Sequence, residues 1–279
     1  METGLVLAQP PERTTRLGND VDLLEWIPQQ HPGTSVLIVP GWGAHPRYYG
    51  NLIAALTARN VSVGAPWAAE TVPGSDTHFQ LLPEAVKTIR SRSETRSVCV
   101  VAESLGAAYL LASGALKSLD RAVFLAPGLI LRLRQILNRD TLDDLNALVR
   151  HHRIEIIGRR LDALSDNQRV LAAIRESGWT PQYSSAGYVF NAFRASARAL
   201  IAPSAAGFNW VIHGDRDRLV SPLGSRLLVA RLGSRRCHLT ILPNVEHGVL
   251  WDARSGQDVV DAVAEFCSAA DDVMRAPVL

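Results

Sequence analysis

Short apolar runs alternate along the first half of the chain with stretches whose apolar residues recur at helical spacing. Val36-Leu37-Ile38-Val39 is rich in β-branched residues and stops at Pro40, which predicts a strand followed by a turn through Gly41-Trp42-Gly43. From about Tyr48 to Arg59 the apolar residues Leu52, Ile53, Leu56 and Ala58 predict an amphipathic helix. Val61 to Val63 predicts a second short strand. Pro73-Gly74-Ser75-Asp76 marks a turn, and a helix then runs to about Ser91. It starts either from an N-cap at Asp76 or near Pro83, since proline is tolerated in a first turn. Val98-Cys99-Val100-Val101 and Ala122-Val123-Phe124-Leu125 are apolar at every position, as in a buried parallel sheet. A helix from about Leu105 through Ala107, Ala108 and Leu110 separates them. The first twenty residues are mostly polar, carry Pro10 and Pro11, and are expected to be loose or to extend a sheet edge.

Strand and helix therefore alternate, which argues for a parallel sheet with helices on both faces. The alternation breaks between about Gly128 and Ser204. Only a weak strand signal is present there, at Ile154-Glu155-Ile156-Ile157, while helical stretches are expected around Leu131 to Asn138, Thr141 to Arg150 and Asn167 to Glu176. It resumes with a strand at Trp210-Val211-Ile212, a helix near Ser221 to Leu232, a strand from Cys237 to Leu242 and a final helix from about Gly256 to Ser268. The expected organisation is one α/β core in two parts, 1–128 and 206–279, with a helical insertion at 129–205.

Composition narrows the function classes. With 47% apolar residues the 279-residue chain can bury a large core, and a formal net charge of +2 gives no basis for nucleic-acid binding. Cys99, Cys237 and Cys267 make neither a disulfide framework nor a zinc site, and free or buried thiols are expected. The first residues lack a basic stretch followed by a long apolar one, and no apolar run reaches the roughly 20 residues that span a bilayer. A cytoplasmic enzyme is the resulting expectation, with no cofactor.

Three loops at strand ends carry residues suited to acyl transfer. Ser104 lies in Ala102-Glu103-Ser104-Leu105-Gly106, where strand gives way to helix. A sharp turn there exposes the serine oxygen beside the helix N-terminus, and it needs small residues two positions either side because the backbone crowds. Ala102 and Gly106 meet that need, the alanine standing where glycine is usual. A serine at this place is also an ordinary helix cap. Asp215 and Asp217 both follow the strand ending in Ile212, and a carboxylate there can hold an imidazole in one tautomer. His247 follows the strand ending in Leu242. Serine, acid and histidine thus come in the chain order of one of the known triad arrangements. Two backbone N–H groups would have to stabilise the oxyanion: that of Leu105, after the serine, and one from the loop after Val39, expected at Trp42.

With these motifs the chain resembles the α/β-hydrolase superfamily over nearly its whole length. The stretch Pro40-Gly41-Trp42-Gly43-Ala44-His45-Pro46-Arg47-Tyr48-Tyr49, followed by Leu52 and Leu56, is similar to the monoacylglycerol lipase and lysophospholipase branch. Pro40 replaces that branch's first histidine and Ala44 its acid, and Ala65-Pro66-Trp67-Ala68-Ala69 stands in place of its Gly-His-Gly turn. The resemblance implies a mostly parallel α/β-hydrolase sheet with helices on both faces and an inserted helical cap. It also implies that Asp217, rather than Asp215, is the acid of a Ser104–Asp217–His247 triad.

The implied activity is that of a serine hydrolase cleaving a carboxylic ester of a small-molecule acyl substrate through an acyl-enzyme. The same fold also hosts thioesterases and acyltransferases acting on coenzyme-A- or carrier-linked acyl groups, and binding members without catalysis. Residues 129–205 hold eleven arginines against seven acidic residues. A basic lid favours an anionic or carrier-linked substrate by electrostatic focusing, whereas a solvated helix face has no such consequence.

Overall fold

Ten strands form among the described residues: β1 (Arg13–Gly18), β2 (Val21–Trp26), β3 (Thr34–Val39), β4 (Val61–Ala68), β5 (Ser97–Glu103), β6 (Arg121–Leu125), β7 (Arg153–Glu155), β8 (Tyr183–Ser185), β9 (Phe208–Gly214) and β10 (Cys237–Leu242). The computed structural model describes residues 6–18, 20–30, 33–68, 77–92, 97–132, 153–155, 161–180 and 183–269. Eight strands make one sheet in the order β1-β2-β4-β3-β5-β6-β9-β10. The six strands from β4 to β10 run parallel, and β2 and β1 join antiparallel at one edge. After β3 the chain crosses to β4 on one side, and after β4 it returns to β5 on the other. The strand order reverses there, and such a switch point leaves a crevice beyond the carboxyl ends of the strands.

Side-chain alternation divides the core into two layers. Val36 and Ile38 of β3 face one layer with Leu52 and Leu56 of α1 (Gly50–Thr57). Leu37 and Val39 face the other. There they meet Leu82 of α3 (Leu82–Arg90) and Leu105 of α4 (Ser104–Ser113). All four β3 residues are fully buried, which is why this strand reads as an unbroken apolar run.

Several elements depart from the sequence expectation. Of the first twenty residues, Arg13–Gly18 form the edge strand β1, and β2 beside it carries the inward-facing Glu25 that breaks its apolar pattern. Glu25 is held by Arg13, Thr15 and Arg92. β4 runs on past Val63 to Ala68. Its pairing with β3 ends at Gly64, so Pro66 has a strand on one side only, an edge-like place that tolerates proline. The helix before Ser91 is split: α2 (Thr77–Gln80) is a single turn, and α3 takes Pro83 into its first turn. Asp76 lies outside the described residues.

Further elements lie between β6 and β9. α5 (Gln168–Ser177) starts from Asn167, whose side chain accepts from Val170 N–H. β7 and β8 pair antiparallel, and α6 (Ala186–Ile201) follows. Neither β8 nor α6 is evident in the apolar pattern. α6 packs on α4 through Tyr188, Ala192 and Ala199, a buried face of mostly small side chains. The helices expected at 131–138 and 141–150 fall mostly outside the described residues. α7 (Pro222–Leu232) and α8 (Gly256–Ser268) complete the core. All three cysteines are free and buried.

Candidate active site

Because β3, β5, β9 and β10 are parallel, the loops that follow them gather at one edge of the sheet. Each carries one group of interest: Trp42, Ser104, Asp217 and His247. β5 passes directly into α4 at Ser104, whose φ of 50° is left-handed and strained for a non-glycine residue. The turn brings the start of α4 against the end of β3. A Cβ on Gly106 would sit 2.3 Å from the Pro40 carbonyl oxygen, so this position admits only glycine at the observed spacing.

Ser104, His247 and Asp217 come together in one hydrogen-bonded line. His247 Nε2 is 2.9 Å from Ser104 Oγ, and His247 Nδ1 is 2.6 Å from Asp217 Oδ2. A carboxylate only accepts, so Nδ1 carries the proton and Nε2 is left to accept from the serine hydroxyl. Asp215 is elsewhere: it is exposed, and its Oδ1 accepts from the backbone N–H of Asn244.

Asp217 is more firmly held than sequence reading anticipated. Its Oδ2 accepts from His213 Nε2 at 2.9 Å as well as from His247, and its Oδ1 accepts from Leu219 N–H and Val220 N–H, each at 2.8 Å. The His213 ring is buried, and its Nδ1 meets Ser225 Oγ at 2.7 Å. Burial alone would raise the Asp217 pKa; the charge of His247 and the hydrogen bonds of both histidines outweigh it and hold the carboxyl well below its ordinary range. Burial likewise works against protonated His247, but the Asp217 carboxylate prevails and raises the pKa above the ordinary 6.5.

Trp42 and Leu105 both border a cavity of about 100 Å³ above Ser104. Leu105 is buried, and the half-buried Trp42 ring packs on Tyr188 of α6 at a centroid distance of 5.4 Å. Leu161, Leu164, Ile174 and Thr180, from the segment between β6 and β9, also line it. No arginine is among the described residues lining it. Among the described residues, no three His, Cys, Asp or Glu side chains converge to hold a metal ion, and no helix is long and apolar enough to cross a membrane.

Three residues of this region escaped the sequence reading: His213, Glu103 and Tyr49. The signal for the first two was an ionisable residue near the end of a mostly apolar strand, since a buried charge-bearing group must find partners. Glu103 precedes Ser104 and accepts from the Tyr49 hydroxyl.

The model of the family described as serine aminopeptidase, S33, matches residues 68–254. A monoacylglycerol lipase of Mycolicibacterium smegmatis is 47% identical over 53 residues, 19% of this chain; the match spans 17% of that protein's length. In overall structure the chain is similar to a soluble variant of monoglyceride lipase from Saccharomyces cerevisiae, with a TM-score of 0.77, 15% identity and coverage of 94% of this chain and 96% of the other. It is also similar to the monoacylglycerol lipase of Paleococcus ferrophilus, with a TM-score of 0.73, 17% identity and coverage of 89% and 98%. These likenesses identify the fold as that of the α/β-hydrolases.

Proposed function

The chain belongs to the serine aminopeptidase S33 family of serine hydrolases, and on that premise we propose that it cleaves a neutral carboxylic ester through an acyl-enzyme on Ser104. The observation that carries the reading is the Ser104–His247–Asp217 line, at 2.9 and 2.6 Å, beneath an apolar cavity. Ser104 Oγ attacks the acyl carbonyl as its proton passes to His247 Nε2, and Asp217 stabilises the imidazolium. The oxyanion is received by the N–H groups of Trp42 and Leu105. The imidazolium then gives its proton to the departing alkoxide, and the acyl group stays on Ser104. Water, deprotonated by the same histidine, attacks the acyl-enzyme and releases the acid.

Residues 129–205 act in this reading as the cap that shapes the acyl pocket. The support is that Leu161, Leu164 and Ile174 line the same cavity as Ser104, His247 and Trp42. An apolar lining without arginine among the described residues favours a neutral acyl group over an anionic or carrier-linked one. Relatives named as monoacylglycerol and monoglyceride lipases make monoacylglycerols the first substrates to try.

The test is a kinetic comparison of a neutral ester and an anionic ester sharing one acyl group, with wild type and Ser104→Ala. Wild type should prefer the neutral ester, and the variant should lose at least about 10³-fold in kcat. Preference for the anionic ester would reject the substrate class; wild-type turnover by Ser104→Ala would reject the mechanism.

A further inference from the structure

One ionisable side chain beside Ser104 has no part in the steps above. Glu103 is 2% exposed, and its two carboxyl oxygens are unlike. Oε2 accepts a hydrogen bond from the Tyr49 hydroxyl, whereas Oε1 is buried with no hydrogen-bond partner among the described residues. Tyr49 is also buried, and its hydroxyl oxygen accepts in turn from the backbone N–H of Gly41 at 3.2 Å. A half-satisfied buried carboxyl is destabilising, so its presence at this place calls for an explanation in the site.

The three groups form a bridge. Gly41 directly precedes Trp42 in the loop after β3, and Glu103 directly precedes Ser104 and Leu105 at the start of α4. The bridge therefore ends one residue from Trp42 on one side, and one residue from Ser104 and two from Leu105 on the other. The two loops also touch: a Cβ on Gly41 would lie 3.1 Å from Ser104 Cβ. A displacement of the first loop is felt directly at the nucleophile.

We propose that Glu103 is a positioning residue of the oxyanion hole: through the Tyr49 hydroxyl it fixes the Gly41–Trp42 backbone against the Ser104 turn. The N–H groups of Trp42 and Leu105 are thereby held at one separation before substrate arrives. Such preorganisation matters because an oxyanion donor helps only where the charge develops, and a misplacement near 1 Å costs about 100-fold in rate. The inference rests on the reading of Ser104 as the nucleophile.

Three variants separate the roles. Tyr49→Phe keeps the ring and removes the hydroxyl from the middle of the bridge. Glu103→Leu removes the acceptor at its end. Glu103→Gln keeps an acceptor oxygen for Tyr49 without the charge. The measurements are kcat and KM on a neutral chromogenic ester, with fluorophosphonate labelling of wild type alongside. Tyr49→Phe and Glu103→Leu should each lower kcat by about 10- to 100-fold, with KM within about twofold. Their double variant should be no worse than the poorer single one, because both cut the same bridge. Glu103→Gln should recover most of the loss, which a mere packing role does not foresee. Wild-type kcat in Tyr49→Phe, or losses that multiply in the double variant, would overturn the proposal. Tyr49→Phe alone decides it if Glu103→Leu does not fold. A labelled wild type with undiminished Tyr49→Phe removes only this proposal, whereas an unlabelled wild type removes the nucleophile assignment beneath it.

Discussion

Replacing Asp217 by asparagine exchanges one acceptor oxygen for a donor and sets two of its four hydrogen bonds in conflict. In the native site Oδ2 accepts from two imidazole N–H groups and Oδ1 from two backbone N–H groups. An asparagine side chain has only one acceptor oxygen; its other terminus is a donor. If the amide oxygen stays with Leu219 and Val220, the NH₂ group faces the ring N–H of His213 and of His247. The conflict is relieved when His247 moves its proton to Nε2, the atom 2.9 Å from Ser104 Oγ. That nitrogen then no longer takes the serine proton. A wrong tautomer of this kind lowers kcat about 10⁴-fold, equivalent to about 5 kcal/mol of transition-state stabilisation. KM should move little, because Asp217 does not line the cavity. Folding should weaken too, by about 3 kcal/mol if two charge-assisted bonds are lost at about 1.5 kcal/mol each. The assay is steady-state hydrolysis of a chromogenic ester by wild type, Asp217→Asn and Asp215→Asn, with melting curves for each. Asp215→Asn is the control, since Asp215 is exposed and bonded to Asn244. A kcat for Asp217→Asn within tenfold of wild type, or an equal loss in Asp215→Asn, would refute this reasoning.

Other outcomes follow from the same geometry. His247 works as a base only when unprotonated, and its pKa is raised above 6.5, so kcat/KM should fall on the acid side with a midpoint above pH 6.5; a midpoint below it would contradict the Asp217 contact. Asp217 has a folded pKa depressed from 3.8, so its stabilisation is present above that pH and is lost as pH falls through the folded value; acid titration of the melting temperature of wild type against Asp217→Asn should show that difference closing. Gly106→Ala forces a Cβ to within 2.3 Å of the Pro40 carbonyl and should cost about 1–3 kcal/mol or more in stability along with activity; a melting curve like wild type would show that α4 lies further from β3. The three thiols are buried, and burial pushes that of Cys237 up to about 12, so an aromatic disulfide reagent should label none of them in the native protein and all three in denaturant.

The parallel strands were legible because burial on both faces leaves no polar position to interrupt them: Val36 to Val39, Val98 to Val101 and Ala122 to Leu125 all read as continuous runs. Those strands also pointed to the candidate site, since Trp42, Ser104, Asp217 and His247 each stand just beyond one of the parallel strands. Helix α6 was hidden for the opposite reason. Its buried face is largely alanine and serine, while Phe190 and Ile201 are exposed, so large apolar residues mark the wrong side. β8 is Tyr-Ser-Ser and exists through its pairing with β7, which local pattern does not encode. The choice of Asp217 over Asp215 needed the family resemblance, because both follow the same strand. The partner of Glu103 was out of reach for a different reason. Tyr49 is 54 positions from Glu103, and no spacing rule joins residues that meet only when two loops pack.

The proposed mechanism stands on Ser104 as a nucleophile activated by His247. Its most direct test is incubation of the purified protein with a fluorophosphonate, followed by digestion and mass measurement of the peptides. One stoichiometric adduct is expected, on the peptide holding Ala102 to Gly106, with its mass shift on Ser104, and it should be lost in His247→Ala. No adduct on folded wild-type protein, or an adduct on another residue, would contradict it.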